Sequence, residues 1–130
     1  MMKATNSVVV VDDNKQIRDL VRSVLSSIGI INIIEAENGA EALKVLASSK
    51  AELAIIDRQM DVMDGLECTR QIRKGVAGID PGLSIILLTG VLVKNAEKDA
   101  YEAGVDLYME KPFSVKALFE GIAKVRALDR

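Results

Sequence analysis

The chain has 130 residues, which is typical of one domain, and 49% of them are hydrophobic, so it can bury a sizeable core. Its 17 Lys and Arg residues against 19 Asp and Glu residues give a net charge of −2, which excludes the basic surface of a typical nucleic-acid-binding protein. One cysteine and no histidine exclude an internal disulfide, a Ser-His-Asp triad, the usual zinc sites and an internal phosphohistidine.

The first part of the chain predicts a strand, a helix and a second strand. The apolar run 8–11 predicts a strand, and apolar residues then recur at helical spacing over 17–28, where Gly29 ends the pattern. The apolar run 30–34 predicts the second strand, which ends near Glu35. We expect this strand to lie at an edge of the sheet.

The middle of the chain repeats this order. Asn38 is a suitable N-cap for a second helix, and the apolar run 53–56 predicts a third strand. Asp64, another capping residue, precedes a third helix that contains Cys68. We interpret Cys68 as a structural residue, because the chain has no histidine that could activate it as a nucleophile.

The last part of the chain adds two more strands and two more helices. The run 83–88 predicts the fourth strand, and a helix over 95–103 follows and ends at Gly104. The run 105–109 predicts the fifth strand, and the last helix is predicted to start at Ser114. Strand and helix therefore alternate five times along the chain.

This alternation predicts an α/β fold with a doubly wound five-stranded parallel sheet and helices on both faces. Several strand runs are continuously apolar, as in strands that are buried on both faces of a parallel sheet. No linker, repeat or low-complexity tract interrupts the pattern, so we predict that 1–130 is a single domain. Glu35, Glu37 and Asp106 are interpreted as solvated charges.

The N-terminal residues lack a signal-peptide pattern, and no apolar run reaches the roughly 18 residues of a membrane span. No cluster of Lys and Arg indicates binding to a membrane surface. We therefore expect a cytoplasmic protein that binds neither a membrane nor, directly, a nucleic acid.

Polar residues stand at the carboxyl ends of four predicted strands. Asp12 and Asp13 follow the first strand, Asp57 the third, Thr89 the fourth and Lys111 the fifth. In a doubly wound sheet, ligands bind beyond the carboxyl ends of the strands, where the strand order reverses. We therefore expect these side chains to converge at one edge of the sheet.

Three clustered carboxylates repel one another unless a cation neutralises them. Mg²⁺ suits such a site, because it takes one or two carboxylates and completes its coordination with water or phosphate oxygens. A lysine and a threonine beside the metal would bind an anion. The combination predicts a phosphoryl site in which an aspartate can itself be the nucleophile.

The motifs that carry these residues resemble those of a response-regulator receiver domain. The four motifs, which occur in the family's order and spacing over nearly the whole chain, are VVDDN at 10–14, DRQMDVMDG at 57–65, LTG at 88–90 and GVDLYMEKPF at 104–113. The resemblance implies a flavodoxin-like sheet with the strand order 2-1-3-4-5, an order known from a chemotaxis receiver.

By this resemblance, each acidic residue of the cluster has a role. Asp57 matches the phosphoacceptor, and Asp12 and Asp13 match the acidic pair that binds Mg²⁺. Gln59 would contribute its backbone carbonyl to the same ion. The resemblance therefore implies a metal-dependent aspartyl phosphate as the working state of the protein.

The resemblance also implies how the phosphoryl group would be sensed. Lys111 matches the lysine that pairs with the phosphoryl oxygens, and Thr89 the hydroxyl that moves to reach them. Tyr108 matches the aromatic residue whose ring reorients between states. The peptide bond between Lys111 and Pro112 is expected to be cis, against about 5–6% of X-Pro bonds in general.

Two residues depart from the family pattern. Asp61 stands where a proline is usual, which adds a carboxylate and is expected to alter metal affinity or the lifetime of the phosphorylated form without abolishing function. Gly90 replaces a commoner alanine and gives the following loop more freedom. Residues 91–93, all apolar, either pack under the fourth helix or belong to an apolar patch that is offered to a partner.

The family resemblance implies a signalling switch and not a classical enzyme. A sensor histidine kinase or histidine phosphotransfer protein would supply the phosphoryl group, since this chain has no histidine. The surface formed by helix four, strand five and helix five would then change its preference for a downstream effector protein or for a second copy of the chain. Self-hydrolysis would reset the switch.

Three alternatives stay open at this point. A phosphatase with an aspartate nucleophile needs a second acid two residues later, where this chain has Gln59. A flavin carrier of the same fold needs a hydroxyl-rich loop after strand one, where this chain has Asp12 and Asp13. A receiver-like module that binds partners without phosphorylation would not need the acid pair, Thr89 and Lys111.

Overall fold

The computed structural model describes residues 7–90 and 93–127 of the chain. Strands and helices alternate throughout these residues, as the sequence predicts. The elements are β1 (Ser7–Val11), α1 (Lys15–Ser27), β2 (Asn32–Ala36), α2 (Gly39–Ala47), β3 (Ala51–Asp57), α3 (Gly65–Arg73), a 3₁₀ turn (Val76–Gly78), β4 (Ser84–Thr89), α4 (Ala96–Ala103), β5 (Leu107–Glu110) and α5 (Val115–Arg126).

The five strands form one parallel sheet in the order β2-β1-β3-β4-β5, which confirms the predicted fold class and the edge position of β2. The order reverses between β1 and β3, so the carboxyl ends of these two central strands meet at the switch point. Asp57 pairs with Leu88 of β4, and Thr89 pairs with Glu110 of β5. This register brings the residues that follow the strands to one edge.

Alternate strand residues fill two cores, one on each face of the sheet. The face covered by α1 and α5 buries residues such as Val10, Ile55 and Leu88, and the face covered by α2, α3 and α4 buries Ile56 and Leu87. Each fully buried aliphatic side chain contributes about 1.5–3 kcal/mol. The central strands are thus held rigidly, and the loops at their carboxyl ends extend from a fixed scaffold.

The predicted second and fifth strands begin too early in the sequence. Ile30 belongs to the end of α1: Gly29 has φ of 91°, and Ile30 N donates to Leu25 O at 3.1 Å. Val105 closes α4 in the same way, after Gly104. In this capping motif the apolar residue after the glycine packs back on the helix, so it is buried without being part of a strand.

The predicted caps Asn38 and Asp64 are confirmed, and Ser114, at the predicted start of the last helix, caps α5. Asn38, Asp64 and Ser114 each accept a hydrogen bond from a backbone amide of the first turn of α2, α3 and α5, at 2.8–2.9 Å. Cys68 is buried within α3, and burial raises the pKa of its thiol to about 12, as expected for an unreactive structural cysteine. None of the helices in the described ranges has the length and apolar character that a membrane span requires.

Candidate functional site

Three carboxylates meet where β1 and β3 end. Asp12, Asp13 and Asp57 each place one oxygen within 4.8 Å of the oxygens of the other two. Asp12 and Asp57 are 2% and 5% exposed, whereas Asp13 is exposed to solvent. Two of the three acids are therefore buried, and the site is open to solvent at Asp13, where a ligand could enter.

Backbone hydrogen bonds hold the loop that carries Asp12. Its amide donates to Ala36 O of β2 at 3.1 Å, and its Oδ1 accepts from the amide of Asn14 at 2.9 Å. Asn14 then caps α1 through its own side chain, at 2.8 Å from the amide of Gln16. Because the start of α1 follows directly, the geometry of the acid pair is tied to that helix.

A buried arginine, which no motif of the sequence indicates, supports the same loop. Arg18 of α1 is 8% exposed, and its Nη1 donates to the carbonyl of Asp12 at 2.7 Å. Its Nε donates to Glu35 at 2.7 Å, and Arg22 pairs with the other oxygen of Glu35 at 3.0 Å. The interpretation of Glu35 as a solvated charge is therefore wrong, whereas Glu37 is mostly exposed.

Two further charges lie at the opposite end of the sheet and take no part in the site. Arg73 donates to Leu83 O at 2.6 Å and pairs with Asp106 at 3.1 Å, and Asp106 accepts from the amide of Ile85 at 2.8 Å. The interpretation of Asp106 as a solvated charge is also wrong, because its side chain is only 8% exposed. Its partners come from α3 and β4, which sequence spacing alone does not bring together.

Lys111 bridges the two buried acids. Its Nζ lies 3.0 Å from Asp12 Oδ2 and 3.2 Å from Asp57 Oδ1. Its amide donates to the carbonyl of Thr89 at 2.7 Å, and the bond to Pro112 is cis, as the family resemblance implies. Burial works to lower the pKa of Lys111, but the hydrogen bonds and charges of Asp12 and Asp57 outweigh it and raise that pKa.

Asp57 is the acid whose charge is least favoured. Burial, and after it the neighbouring charge of Asp12, raises its pKa above the ordinary value of an aspartate, against the opposing effects of Lys111 and the backbone amide of Gln59. One ammonium group does not fully compensate for two buried carboxylates. A site of this kind favours an additional cation.

The donor set fits Mg²⁺. It consists of carboxylate oxygens, one of them on the exposed Asp13, and a hard divalent ion prefers such ligands. Gln59 and Asp13 also line a surface cavity of about 510 Å³ at the mouth of the site, so the backbone of Gln59 lies near the acids. We expect the unfavourable charge on Asp57 to be relieved when a cation binds here.

Thr89 and Tyr108, the two predicted sensing residues, differ in how deeply they are buried. Thr89 is fully buried at the end of β4. Tyr108 is half-buried on the neighbouring edge strand, where it lines a shallow surface cavity of about 370 Å³ together with Asn95, Glu97 and Glu110. Burial, and then the charges of Glu110 and Glu97, raises the pKa of its hydroxyl, whereas the charge of Arg58 lowers it.

The loop between β3 and α3 closes the site from one side. Its Asp61, at the position of the usual proline, is exposed, and Val62 adopts a positive φ of 71° with 84% of its surface exposed. Gly65 is required where the loop enters α3, because a Cβ there would collide with the carbonyl of Asp57. Residues 91 and 92 of the predicted apolar patch lie outside the described residues, and Val93 is 48% exposed.

Comparisons with known proteins agree with this architecture. A family model described as the response regulator receiver domain matches residues 8–123. The chain is 34% identical over 118 residues to the chemotaxis protein CheY of Halobacterium salinarum, covering 91% of this chain and 94% of that protein. It is 35% identical over 123 residues to the response regulator MprA of Mycobacterium tuberculosis, covering 95% of this chain but only 50% of that protein. The crystal structure of a CheY-like receiver domain protein from Methanospirillum hungatei matches with a TM-score of 0.84 and 26% identity, over 95% of each chain.

Proposed function

Because this chain belongs to the response regulator receiver domain family, we propose that it is a phosphorylation switch in which Asp57 accepts the phosphoryl group. The observation that carries the proposal is the position of Lys111, whose ammonium group lies within 3.2 Å of both buried acids. A lysine in this place can bind an oxygen of a phosphoryl group on Asp57 without a large movement.

Asp13, Asp57 and the backbone carbonyl of Gln59, with Asp12 beside them, would hold Mg²⁺. When bound, the ion supplies positive charge to the phosphoryl oxygens during transfer. Asp13 suits this role because it is exposed and its oxygens reach the other two acids. The buried Asp12, which Arg18 and Asn14 hold in place, keeps Lys111 oriented toward Asp57.

The transfer is a substitution at phosphorus. An oxygen of the Asp57 carboxylate attacks the phosphorus of a phosphohistidine on another protein, an O–P bond forms, and the P–N bond to the imidazole breaks. Lys111 stabilises the charge on the transferring group. The donor lies outside these 130 residues, because they contain no histidine, and we propose that it is a sensor histidine kinase or a histidine phosphotransfer protein.

The phosphoryl group then acts on the face formed by α4, β5 and α5. Thr89 moves toward the new oxygens, and Tyr108 follows into the space that Thr89 leaves. Four of the six exposed large hydrophobic residues in the described ranges support an interaction surface here, since they lie on or beside these elements: Val93, Tyr101, Val115 and Phe119. This face would bind a downstream effector protein or a second copy of the chain.

We further propose that residues 1–130 form a single receiver domain that acts in the cytoplasm. The support for a single domain is the continuous sheet from β1 to β5, together with the nearly complete coverage of the chemotaxis protein of Halobacterium salinarum. The chain spans only about half the length of MprA.

Intact-mass analysis tests the phosphoacceptor role. The protein is incubated with Mg²⁺ and a small acyl phosphate donor, and we expect a mass gain of one phosphoryl group that disappears when a chelator removes the metal. Asp57→Asn should show no gain, and the matched control Asp64→Asn, which keeps the helix cap, should behave as the wild type. A gain in Asp57→Asn equal to that of the wild type would contradict the proposal. Steady hydrolysis of an external phosphate ester would favour the phosphatase alternative.

A further inference from the structure

Arg58, the residue after the phosphoacceptor, has a buried polar atom that lacks a partner. Its Nη1 is inaccessible to solvent, and no hydrogen bond to that atom exists within the described residues. A buried donor without a partner costs free energy. Such a group in a native structure often marks strain or a functional role. Neither the metal site nor the transfer step described above uses this side chain.

The sheet register places Arg58 beside the sensing residues. Its amide donates to Leu88 O at 2.8 Å, which extends the pairing of β3 and β4 one residue beyond Asp57. Arg58 therefore lies next to Thr89, and Thr89 pairs with Glu110 on β5. Thr89 is the residue that the proposed switch moves.

The alternation of side chains separates Arg58 from the phosphoryl site. Asp57 points to the face of the sheet that α1 and α5 cover, since Ile55, two residues earlier, belongs to that core. Arg58 points to the other face, where Ile56 and Tyr108 pack. This arrangement disfavours a direct contact of Arg58 with the phosphoryl oxygens. It places Tyr108 on the same face of the sheet as Arg58.

Tyr108 is half-buried and lines the surface cavity together with Glu97 and Glu110. The charges of these two carboxylates act on its hydroxyl. On the same face of the sheet, Nη1 of Arg58 is a buried donor that has no hydrogen-bond partner within the described residues. The charge of Arg58 already acts on the tyrosine hydroxyl.

We infer that Arg58 is a positioning residue for the switch, and that its Nη1 donates to the hydroxyl of Tyr108 once the ring has turned inward. The inference rests on the proposed function, because the inward state is the one that forms when Asp57 carries a phosphoryl group. Arg58 thereby gains the partner that it lacks in the resting state, and part of the drive for the tyrosine to turn comes from that hydrogen bond.

Fluorine NMR of protein labelled with 3-fluorotyrosine tests this directly. The chain contains two tyrosines, and the signal that disappears in Tyr108→Phe is assigned to Tyr108. Beryllofluoride with Mg²⁺ serves as the mimic of the phosphoryl group on Asp57, and its own bound fluorine signal reports occupancy independently. We expect the Tyr108 signal of the wild type to move when the mimic binds.

In Arg58→Met, we expect the mimic to bind as before, while the ratio of inward to outward Tyr108 falls about tenfold, the factor that a hydrogen bond from a charged donor provides. Arg58→Lys, which keeps a donor, should recover part of the response. Arg70→Met, at an exposed position on α3, is the matched control and should respond as the wild type. An unchanged Tyr108 response in Arg58→Met would overturn the inference.

A second measurement leaves Arg58 in place and so does not depend on the folding of its variants. The side-chain nitrogen signal of Arg58 should move on binding of the mimic in the wild type and stay in place in Tyr108→Phe, which lacks the hydroxyl. Equal movement in both proteins would overturn the role of Arg58 while leaving the phosphoacceptor intact. Absence of bound beryllofluoride in the wild type would instead contradict the proposed function, and with it this inference.

Discussion

Arg18 and Arg22 bind the same carboxylate from very different environments. The side chain of Arg18 is 10% exposed and that of Arg22 is 42% exposed, although both pair with Glu35 at 3.0 Å or less. Only Arg18 also reaches the carbonyl of Asp12. Breaking a buried ion pair leaves an uncompensated charge, whereas an exposed pair exchanges its partner for water.

We therefore expect Arg18→Met to lower the free energy of unfolding by about 3 kcal/mol, and Arg22→Met by about 1 kcal/mol or less. Equilibrium unfolding in urea measures both values. The two variants remove the same type of side chain from the same helix and the same acid. Equal losses would show that burial of Arg18 does not set its contribution.

At Asp57, the charge that the proposed function requires is unfavourable for the folded protein. Burial and the charge of Asp12 raise the pKa of Asp57, so the folded protein holds its proton more tightly than the unfolded chain does. The stability that this proton confers is fully present below the unfolded pKa and is lost as the pH rises through the folded pKa. At neutral pH, the ionised Asp57 therefore destabilises the metal-free protein.

Asp57→Asn should consequently be more stable than the wild type at neutral pH in metal-free buffer, and this difference should shrink as the pH falls through the raised pKa of folded Asp57 and level off below the ordinary pKa of aspartate. Urea unfolding over a pH series measures the effect. The exposed Asp61, changed to Asn, is the control. A wild type that is as stable as Asp57→Asn at every pH would show that Lys111 already compensates for the charge in full.

At the scale of elements, the loop between β3 and α3 holds a strained residue. Val62 has a φ of 71°, a left-handed conformation that costs a β-branched residue about 1–2 kcal/mol. Its side chain is 84% exposed, so little packing energy offsets this cost. Strain of this kind often lies beside functional sites, and this loop adjoins Asp57.

Replacing Val62 with glycine should raise the free energy of unfolding by about 1 kcal/mol, because glycine adopts this conformation without a steric penalty. Thermal or urea unfolding measures the change. Val62→Ala is the matched control, since it removes the branched side chain but keeps the Cβ, and it should gain much less. A loss of stability in Val62→Gly would show that the loop needs the valine side chain.

Helix ends explain where the sequence prediction of elements failed. The sequence pattern predicts the glycines that end α1 and α4. It assigns Ile30 and Val105, which follow these glycines, to strands because both residues are apolar. Both are buried as part of the helix cap, through backbone hydrogen bonds to Leu25 and Ala100. Hydrophobic periodicity reports burial, and it does not distinguish a capping contact from a strand.

The edges of the sheet also depend on contacts that no local pattern indicates. On β2, Arg22 donates to the carbonyl of Ile33 at 3.2 Å. On β5, the hydroxyl of Tyr101 accepts from the amide of Tyr108 at 3.1 Å. Side chains from flanking helices thus bind backbone groups that another chain could pair with.

For the whole molecule, the sequence predicted the fold class and the cluster correctly. Alternating elements with continuously apolar strands indicated a parallel sheet, and the polar residues at strand ends indicated the edge where Asp12, Asp57 and Lys111 meet. The strand order came from the family resemblance. The partners of Arg18 and Arg58 could not be predicted, because they depend on which elements pack together and on the face to which each side chain points.

The metal should couple to the stability of the entire domain. A ligand that binds only the folded state stabilises it by about 2.7 kcal/mol at a concentration one hundred times its dissociation constant. We expect Mg²⁺ to raise the Tm of the wild type progressively and to have little effect on Asp13→Asn. Asp13 is exposed, so its replacement leaves the packing intact. A Tm that does not depend on Mg²⁺ would contradict the assignment of the carboxylate cluster as a metal site.

The central claim is that Asp57 itself carries the phosphoryl group, and reductive trapping tests it most directly. Borohydride converts an aspartyl phosphate to homoserine, which peptide mass spectrometry places at a single position. After treatment with an acyl phosphate and Mg²⁺, we predict homoserine at position 57 and at no other aspartate, Asp12 and Asp13 included. Homoserine at another position, or its absence from a protein that has gained a phosphoryl group, would contradict the account.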